Sequence, residues 1–219
     1  KTWRRAKRKH KLWNDKHDKA VWLGAFTGPP YDDATSMDPR ELCRRNLRCN
    51  FVLQHLNSTL IEAKFTDFND RFQEGRIPNG LMEVEEVPMD ELLHNKILIS
   101  LEGNDVASGL KWQLYSECLV MMPPPTLTTW AMEELLEPWV HYVPILPNGS
   151  NAEEMVRWVI THPSEAELIV KRSQAFMSDL IENDVDDKAV RKEIARRYRQ
   201  HWRPVEKALW EGGTTLSKA

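Results

Sequence analysis

Glu102-Gly103-Asn104-Asp105, Ser108-Gly109 and Lys111 stand in one short stretch between an apolar run and a helical one. These residue types in this order could hold an anion. Gly103 permits special backbone angles, and Asn104 and Asp105 turn the chain through local hydrogen bonds. The first amides of a following helix lack internal partners and sit at the positive end of the helix dipole. A diphosphate could dock there, with Ser108 and Gly109 letting it come close. An ordinary strand-to-helix connection capped by Asp105 would carry the same residues.

The neighbouring sequence shows what would position this turn. Ile97 to Leu101 is apolar and β-branched apart from Ser100, as a strand covered on both faces reads. Beyond the turn, Val106, Leu110 and Leu114 share one helical face, which predicts a helix from Val106. Cys118 to Met122 is apolar again and stops at three prolines. Strand, turn, helix, strand makes a βαβ unit and predicts parallel strands.

The rest of the chain continues the pattern. Ala20 to Phe26 predicts a first buried strand, followed by a Thr27–Asp33 loop. Asp38 as N-cap, Pro39 and a capping-box Glu41 open a helix expected to reach about Leu56. Leu60 to Phe65 predicts a strand and Pro78-Asn79-Gly80 a turn. A short strand over Leu81–Val84 and a short helix from Pro88 follow. Thr129 to Leu136 predicts a helix and Val140 to Ile145 a strand. Asn151 with Glu154, and Ser164 with Glu167, mark two helix starts; residues 187 to about 210 read as a last, charged helix. The alternation predicts an α/β fold, a Rossmann-like, doubly wound, mainly parallel sheet.

Composition bounds the class. With 219 residues, 41% hydrophobic and 29% charged, the chain reads as globular rather than disordered. No apolar run approaches the roughly 20 residues that span a bilayer. The first residue is Lys1, so the chain is expected to be a piece of something longer. Cys43, Cys49 and Cys118 lack zinc-like spacing, and an odd count leaves at least one free or paired elsewhere. The net charge of −3 is uneven: residues 1–20 carry nine Lys or Arg against Asp15 and Asp18. With Trp3 and Trp13, that arm could bind nucleic acid. A solvated connector is the commoner use, and the acidic remainder offers no basic groove, so no nucleic-acid partner is expected.

Two spaced runs carry a resemblance. Leu101-Glu-Gly-Asn-Asp-Val-Ala-Ser-Gly-Leu-Lys-Trp112 is followed by Trp130-Ala-Met-Glu-Glu-Leu-Leu-Glu-Pro-Trp-Val-His-Tyr-Val-Pro144. Ala20-Val-Trp-Leu-Gly24 with Thr27-Gly28, and Leu60-Ile-Glu-Ala-Lys-Phe-Thr66, add to it. Over roughly residues 18–200 the chain resembles glycosyltransferase family 90, the group of capsule-associated xylosyltransferases and protein O-glucosyltransferases. The resemblance implies the C-terminal, nucleotide-sugar-binding half of a two-domain GT-B fold. Residues 1–18 would be a basic connector, 19–183 the Rossmann-like domain, and 184–219 a helix crossing back to an N-terminal domain that is missing here.

The implied reaction is displacement, with inversion, at the anomeric carbon of a UDP-sugar of the glucose or xylose type, by a glycan or protein hydroxyl. The catalytic base is expected in the missing half. No metal or other cofactor is implied, so amides and cations must stabilise the leaving diphosphate. Glu102, Gly103, Asn104, Asp105, Val106, Ala107, Ser108 and Gly109 would surround the phosphates, with Trp22, Gly24 and Thr27 beside them and Lys111 as the nearby cation. Glu133 would hold the ribose hydroxyls, since a carboxylate accepts two hydrogen bonds, with Glu134 as its competitor. Trp22 and Trp130 would flank base or sugar, unless they are core.

One departure stands out: the family usually has Arg after the first-strand Trp, and here that residue is Leu23. A non-catalytic, sugar-nucleotide-binding relative is the alternative reading. His141 is either an orienting group or a core histidine. Asp184-Val185-Asp186 has the form of a metal motif but lies between helices, where capping and solvation explain it. Asn57-Ser58-Thr59 and Asn148-Gly149-Ser150 fit the N-glycosylation pattern, which matters only in the secretory pathway. The compartment stays open: ER or Golgi lumen if eukaryotic, cytoplasmic or membrane-associated if bacterial.

Overall fold

The computed structural model describes residues 12–30, 38–69, 77–182 and 184–201. Most of the basic arm, with Trp3, lies outside the described residues. Trp13 is buried in the core, with the Lys96 ammonium 5.5 Å from its ring centroid, so it is no exposed stacking platform.

Five strands form one parallel sheet: β1 (His17–Ala25), β2 (Ile61–Asp67), β3 (Asn95–Ile99), β4 (Leu119–Met122) and β5 (Val143–Pro144). Their spatial order is β2-β1-β3-β4-β5. Alternate strand residues point to opposite faces, and both faces are covered. Ala20, Trp22, Ile97, Ile99, Leu119 and Met121 join a core with α1 (Pro39–Arg45), α2 (Leu47–Gln54), α5 (Ala152–Thr161) and α6 (Pro163–Glu182). Val21 and Leu98 pack on the other side with Met89 and Leu92 of α3 (Met89–Leu92) and Trp112 of α4 (Leu110–Tyr115). The fold is α/β and doubly wound, as the alternating pattern predicts. Among the described residues no helix is long and apolar enough to cross a membrane.

The chain divides into two compact units at Asp179/Leu180. The described part of the second unit is the end of α6 and all of α7 (Asp184–His201). The Asp184-Val185-Asp186 motif therefore opens a helix.

Several elements differ locally from expectation. The helix expected from Val106 starts at Leu110, because residues 104–109 form bends and turns. Asp105 does not cap it; its carboxylate accepts from the adjacent Val106 amide at 2.7 Å. The helix expected to reach Leu56 is broken at Asn46, which ends α1 and caps α2 by accepting from the Cys49 amide at 2.9 Å. Asp38 caps α1 through the Arg40 and Glu41 amides, while the Glu41 carboxylate faces Arg44 at 3.6 Å. A disulfide joins Cys43 to Cys49 across the break, and Cys118 is free and buried.

Among the described residues, Leu81–Val84 pairs only through a bridge from Phe65 to Glu83. The Thr129–Leu136 helix shrinks to a 3₁₀ turn at Glu133–Leu135, entered through left-handed Met132. The strand over Val140–Ile145 shrinks to β5, since Pro138 to Tyr142 close a tight loop instead. Asn151 accepts from the Leu146 amide rather than capping α5, and Ser164 lies inside α6.

Candidate functional site

A 2-1-3-4-5 parallel order reverses direction between β1 and β3. Ligands of open α/β sheets bind outside the carboxyl ends of the strands at such a switch point. Two loops meet there: Phe26–Pro30 after β1 and Ser100–Gly109 after β3. Asn104 ties them, accepting from the Gly28 amide at 2.7 Å. Gly28 has φ +96°, and a Cβ there would crowd the Gly103 carbonyl oxygen at 3.3 Å. At Gly103 a Cβ would strike the Thr27 hydroxyl and lie 2.7 Å from Arg48 Nη2. Both glycines are therefore required by close approach of the two loops.

Two residues of the Asn46 break hold the loops from below. Asn46 Nδ2 donates to the Thr27 and Pro29 carbonyls at 3.0 and 2.8 Å. Arg48, on α2, donates from Nη1 to Ala25 O at 2.9 Å, from Nη2 to Leu101 O at 2.9 Å and from Nε to Glu102 O at 3.1 Å. Its guanidinium lies 5.7 Å from the Trp22 ring centroid. Burial lowers its pKa to about 10, so it stays charged at neutral pH. Neither residue is visible as functional in the sequence. Asn46 could have been found as a capping residue inside an otherwise continuous helical run; Arg48 is one of several basic residues there and carries no distinguishing signal.

Two cavities flank the loops. One, of about 330 Å³, is walled by Trp22, Leu23, Gly24 and Arg48 on one side and Ala107, Ser108 and Gly109 on the other. The second, of about 250 Å³, is lined by Ser100, Glu102, Val106, Ala107, the three prolines and Glu133. Most expected site residues thus converge on one end of the sheet. Gly103, Asn104 and Asp105 form the bend between, with Asn104, Asp105 and Ser108 exposed at its rim. Thr27 meets Asn46 through its backbone.

Lys111 and Glu133 lie together but bind each other. The Lys111 ammonium is 2.6 Å from a Glu133 oxygen, and the two residues are 6% and 1% exposed. Thr129 adds an amide bond at 2.7 Å and hydroxyl bonds at 2.8 and 3.0 Å to the same carboxylate. Burial alone would raise the Glu133 pKa, but Lys111 and Thr129 outweigh it and hold the carboxyl below its ordinary value. Glu134 instead accepts from the Thr128 hydroxyl. Glu102 accepts from the Thr126 and Leu127 amides at 2.8 and 3.1 Å and from the Thr126 hydroxyl.

Trp130 is 60% exposed and lines neither cavity, whereas Trp22 is buried edge-on against Phe65, with centroids 5.6 Å apart. His141 accepts from the Glu137 amide through Nδ1 at 2.9 Å and packs on Phe176; burial lowers its pKa. Among the described residues, no three His, Cys, Asp or Glu side chains are grouped to hold a metal ion.

Comparison with known proteins gives a consistent answer. The sequence pattern of glycosyl transferase family 90 matches residues 3–191. An O-glucosyltransferase LpsA of Dichelobacter nodosus is 42% identical over 86 residues, 39% of this chain and 27% of that protein. Uncharacterized protein 035R of Invertebrate iridescent virus 3 is 24% identical over 176 residues, 75% of this chain and 15% of that protein. Protein O-glucosyltransferase 1 of Homo sapiens is 22% identical over 172 residues, 78% of this chain and 39% of that protein. The chain spans well under half the length of these relatives.

Proposed function

The chain belongs to glycosyltransferase family 90, and on that premise we propose that it is the donor-binding part of a glycosyltransferase using a UDP-sugar. The observation that carries this reading is the place of the Glu102–Gly109 loop. It stands at the carboxyl end of β3, against the end of β1, at the switch point where an α/β sheet takes its ligand. The amides and hydroxyl of the loop would face the diphosphate. Glu133, at the edge of the second cavity, would face the ribose while anchored by Lys111. Lys111 then acts on the donor through Glu133.

In the proposed reaction an acceptor hydroxyl of a glycan or protein attacks the anomeric carbon of a glucose- or xylose-type sugar. The new C–O bond forms as the bond to UDP breaks, with inversion. UDP leaves with the bonding pair, and the hydroxyl proton passes to a carboxylate base from chain outside residues 1–219. No metal takes part in this scheme.

The test is titration with UDP, followed by incubation with labelled UDP-sugars and candidate acceptors. We expect weak UDP binding and no transfer by residues 1–219 alone. Orienting donor and acceptor together is worth roughly 7–11 kcal/mol of barrier, and that orientation needs both halves. Robust transfer by this chain would place the base within it; no UDP binding would refute donor binding here. A second reading, a non-catalytic binding relative, is favoured by Leu23. Turnover by the full-length protein decides between them.

A further inference from the structure

Asn57-Ser58-Thr59 and Asn148-Gly149-Ser150 have the acceptor pattern for N-linked glycans, which counts only in a secretory compartment. The fold adds an observation that bears on the compartment. Cys43 and Cys49 are joined in a buried disulfide. Cytosolic thiols are kept reduced, so a disulfide inside the core marks a chain that folds where oxidation is permitted. The two signals are independent. One is a pattern in surface loops, the other a covalent bond between helices.

The two acceptors are placed differently. Asn57 lies in the turn between α2 and β2, at the amino end of the sheet. Asn57 and Thr59 are exposed, and neither side chain hydrogen-bonds a described residue. The middle residue is the one the fold uses: Ser58 Oγ donates to Glu153 and accepts from the Leu60 and Ile61 amides at 3.2 and 3.1 Å. The turn is thus pinned between two free side chains, the amide that would be modified and the hydroxyl the pattern requires. A cavity of about 390 Å³ adjoins it, lined in part by Leu56, Thr59, Lys64 and Met82. Leu56 and Met82 are exposed there, so a first sugar can lie against apolar carbon without displacing a protein contact. β2 is also an edge strand, and a glycan beside it would bar a second strand from pairing. Asn148 is exposed too, but its side-chain oxygen accepts from the Ser150 hydroxyl and amide at 2.9 and 3.1 Å. Its neighbour Pro147 lines the second cavity, so a glycan there would stand beside the donor.

We propose that Asn57 carries an N-linked glycan and that the chain matures in an oxidising secretory compartment. The co-reactant is an oligosaccharide on a lipid diphosphate. Asn57 Nδ2 bonds to its anomeric carbon as the bond from that carbon to the diphosphate oxygen breaks. The lipid diphosphate leaves with the bonding pair, and one amide proton passes to a base of the transferring enzyme. The glycan stands at the opposite end of the strands from the Phe26–Pro30 and Ser100–Gly109 loops, so it leaves them open. The proposal does not depend on what those loops bind.

The test is a peptide analysis of the full-length protein, produced in eukaryotic cells with its own amino terminus and digested without reduction. Cleavage after Lys and Arg leaves residues 49–64 as one peptide, which holds both Cys49 and Asn57. In the parent, that peptide should be disulfide-linked to the one containing Cys43 and should carry a glycan, and peptide N-glycosidase should convert Asn57 to Asp. Asn57→Gln and Thr59→Ala should each abolish the glycan, and Thr59→Ser should keep it, with thermal unfolding alongside. Loss in Thr59→Ala with retention in Thr59→Ser reads the acceptor pattern itself, since Thr59 is exposed and bonds nothing described. A bare Asn57 in the parent overturns the proposal, whatever the state of Asn148. So does a glycan that survives Thr59→Ala. Reduced thiols at Cys43 and Cys49 also overturn it, because they place the chain in a reducing compartment.

Discussion

At the residue scale, the region depends on side chains whose partners are specific and buried. Lys111 and Glu133 form an ion pair with almost no solvent contact. Removing one member strands the other, at a typical cost of about 3–5 kcal/mol, whereas replacing both by apolar residues is often neutral. Glu133→Gln should therefore lower the urea midpoint sharply, and Glu133→Leu with Lys111→Met should recover much of the loss. The pair also has a pH signature. The Glu133 pKa is lower folded than unfolded, so its stabilisation is complete above the ordinary carboxylate value of about 4.5 and is lost as pH falls through the lower, folded value. The parent and Glu133→Gln should converge in stability on acidification. Parallel curves down to acid unfolding would contradict this. Gly103→Ala is a second residue-scale prediction. The added methyl meets the Thr27 hydroxyl and Arg48, so it should cost about 1–3 kcal/mol and weaken UDP binding, read by thermal unfolding and titration.

At the element scale, the break between α1 and α2 explains how helix residues come to hold the loops. A continuous helix would carry Arg48 onward with no cap beneath it. Asn46 interrupts the helix, caps α2 and reaches the Thr27 and Pro29 carbonyls with the same side chain. Asn46→Ala removes a cap worth typically about 1 kcal/mol and leaves two carbonyls to find other partners. For a chain of this size each kcal/mol shifts Tm by about 2–4 °C. A fall of several degrees is expected by calorimetry, together with weaker UDP binding, since the β1 loop loses its support. A lowered Tm with intact binding would show that the loop holds without Asn46.

At the scale of the whole molecule, the two units differ in what stabilises them. In the first, a parallel sheet is buried on both faces. In the second, α7 carries Val190, Ile194 and Tyr198 at 56%, 62% and 65% exposure, and burial of its own apolar residues does little to hold it. Local pairs support it instead: Glu193 accepts from Arg196 and Arg197 at 2.7 and 2.8 Å. Surface pairs of this kind are weak and screened by salt. Amides of α7 should therefore exchange with solvent far faster than those of β1, β3 and β4, and faster still in high salt. Hydrogen-exchange mass spectrometry checks this; equal protection of α7 and the central strands would refute it.

The fold class was legible from sequence because burial on both faces leaves continuous apolar strands such as Ile97–Leu101 and Cys118–Met122, and the parallel order follows from the helices between them. The glycine-rich loop after β3 was legible for the same reason: it interrupts two strongly patterned elements. Its internal conformation was not. Val106 repeats with helical period beside Leu110 and Leu114, yet residues 104–109 bend because the Asn104 side chain bonds the distant Gly28 amide and Glu102 bonds the Thr126 loop. Local periodicity cannot register bonds to residues tens of positions away. Lys111 and Glu133 were both singled out from sequence, one as a cation and one as a ribose holder, but only the tertiary structure decided that they face each other. Arg48 shows the limit most directly. Its position in sequence is one basic residue among several. Its role comes from three carbonyls at the ends of two strands, which only the folded sheet brings within reach.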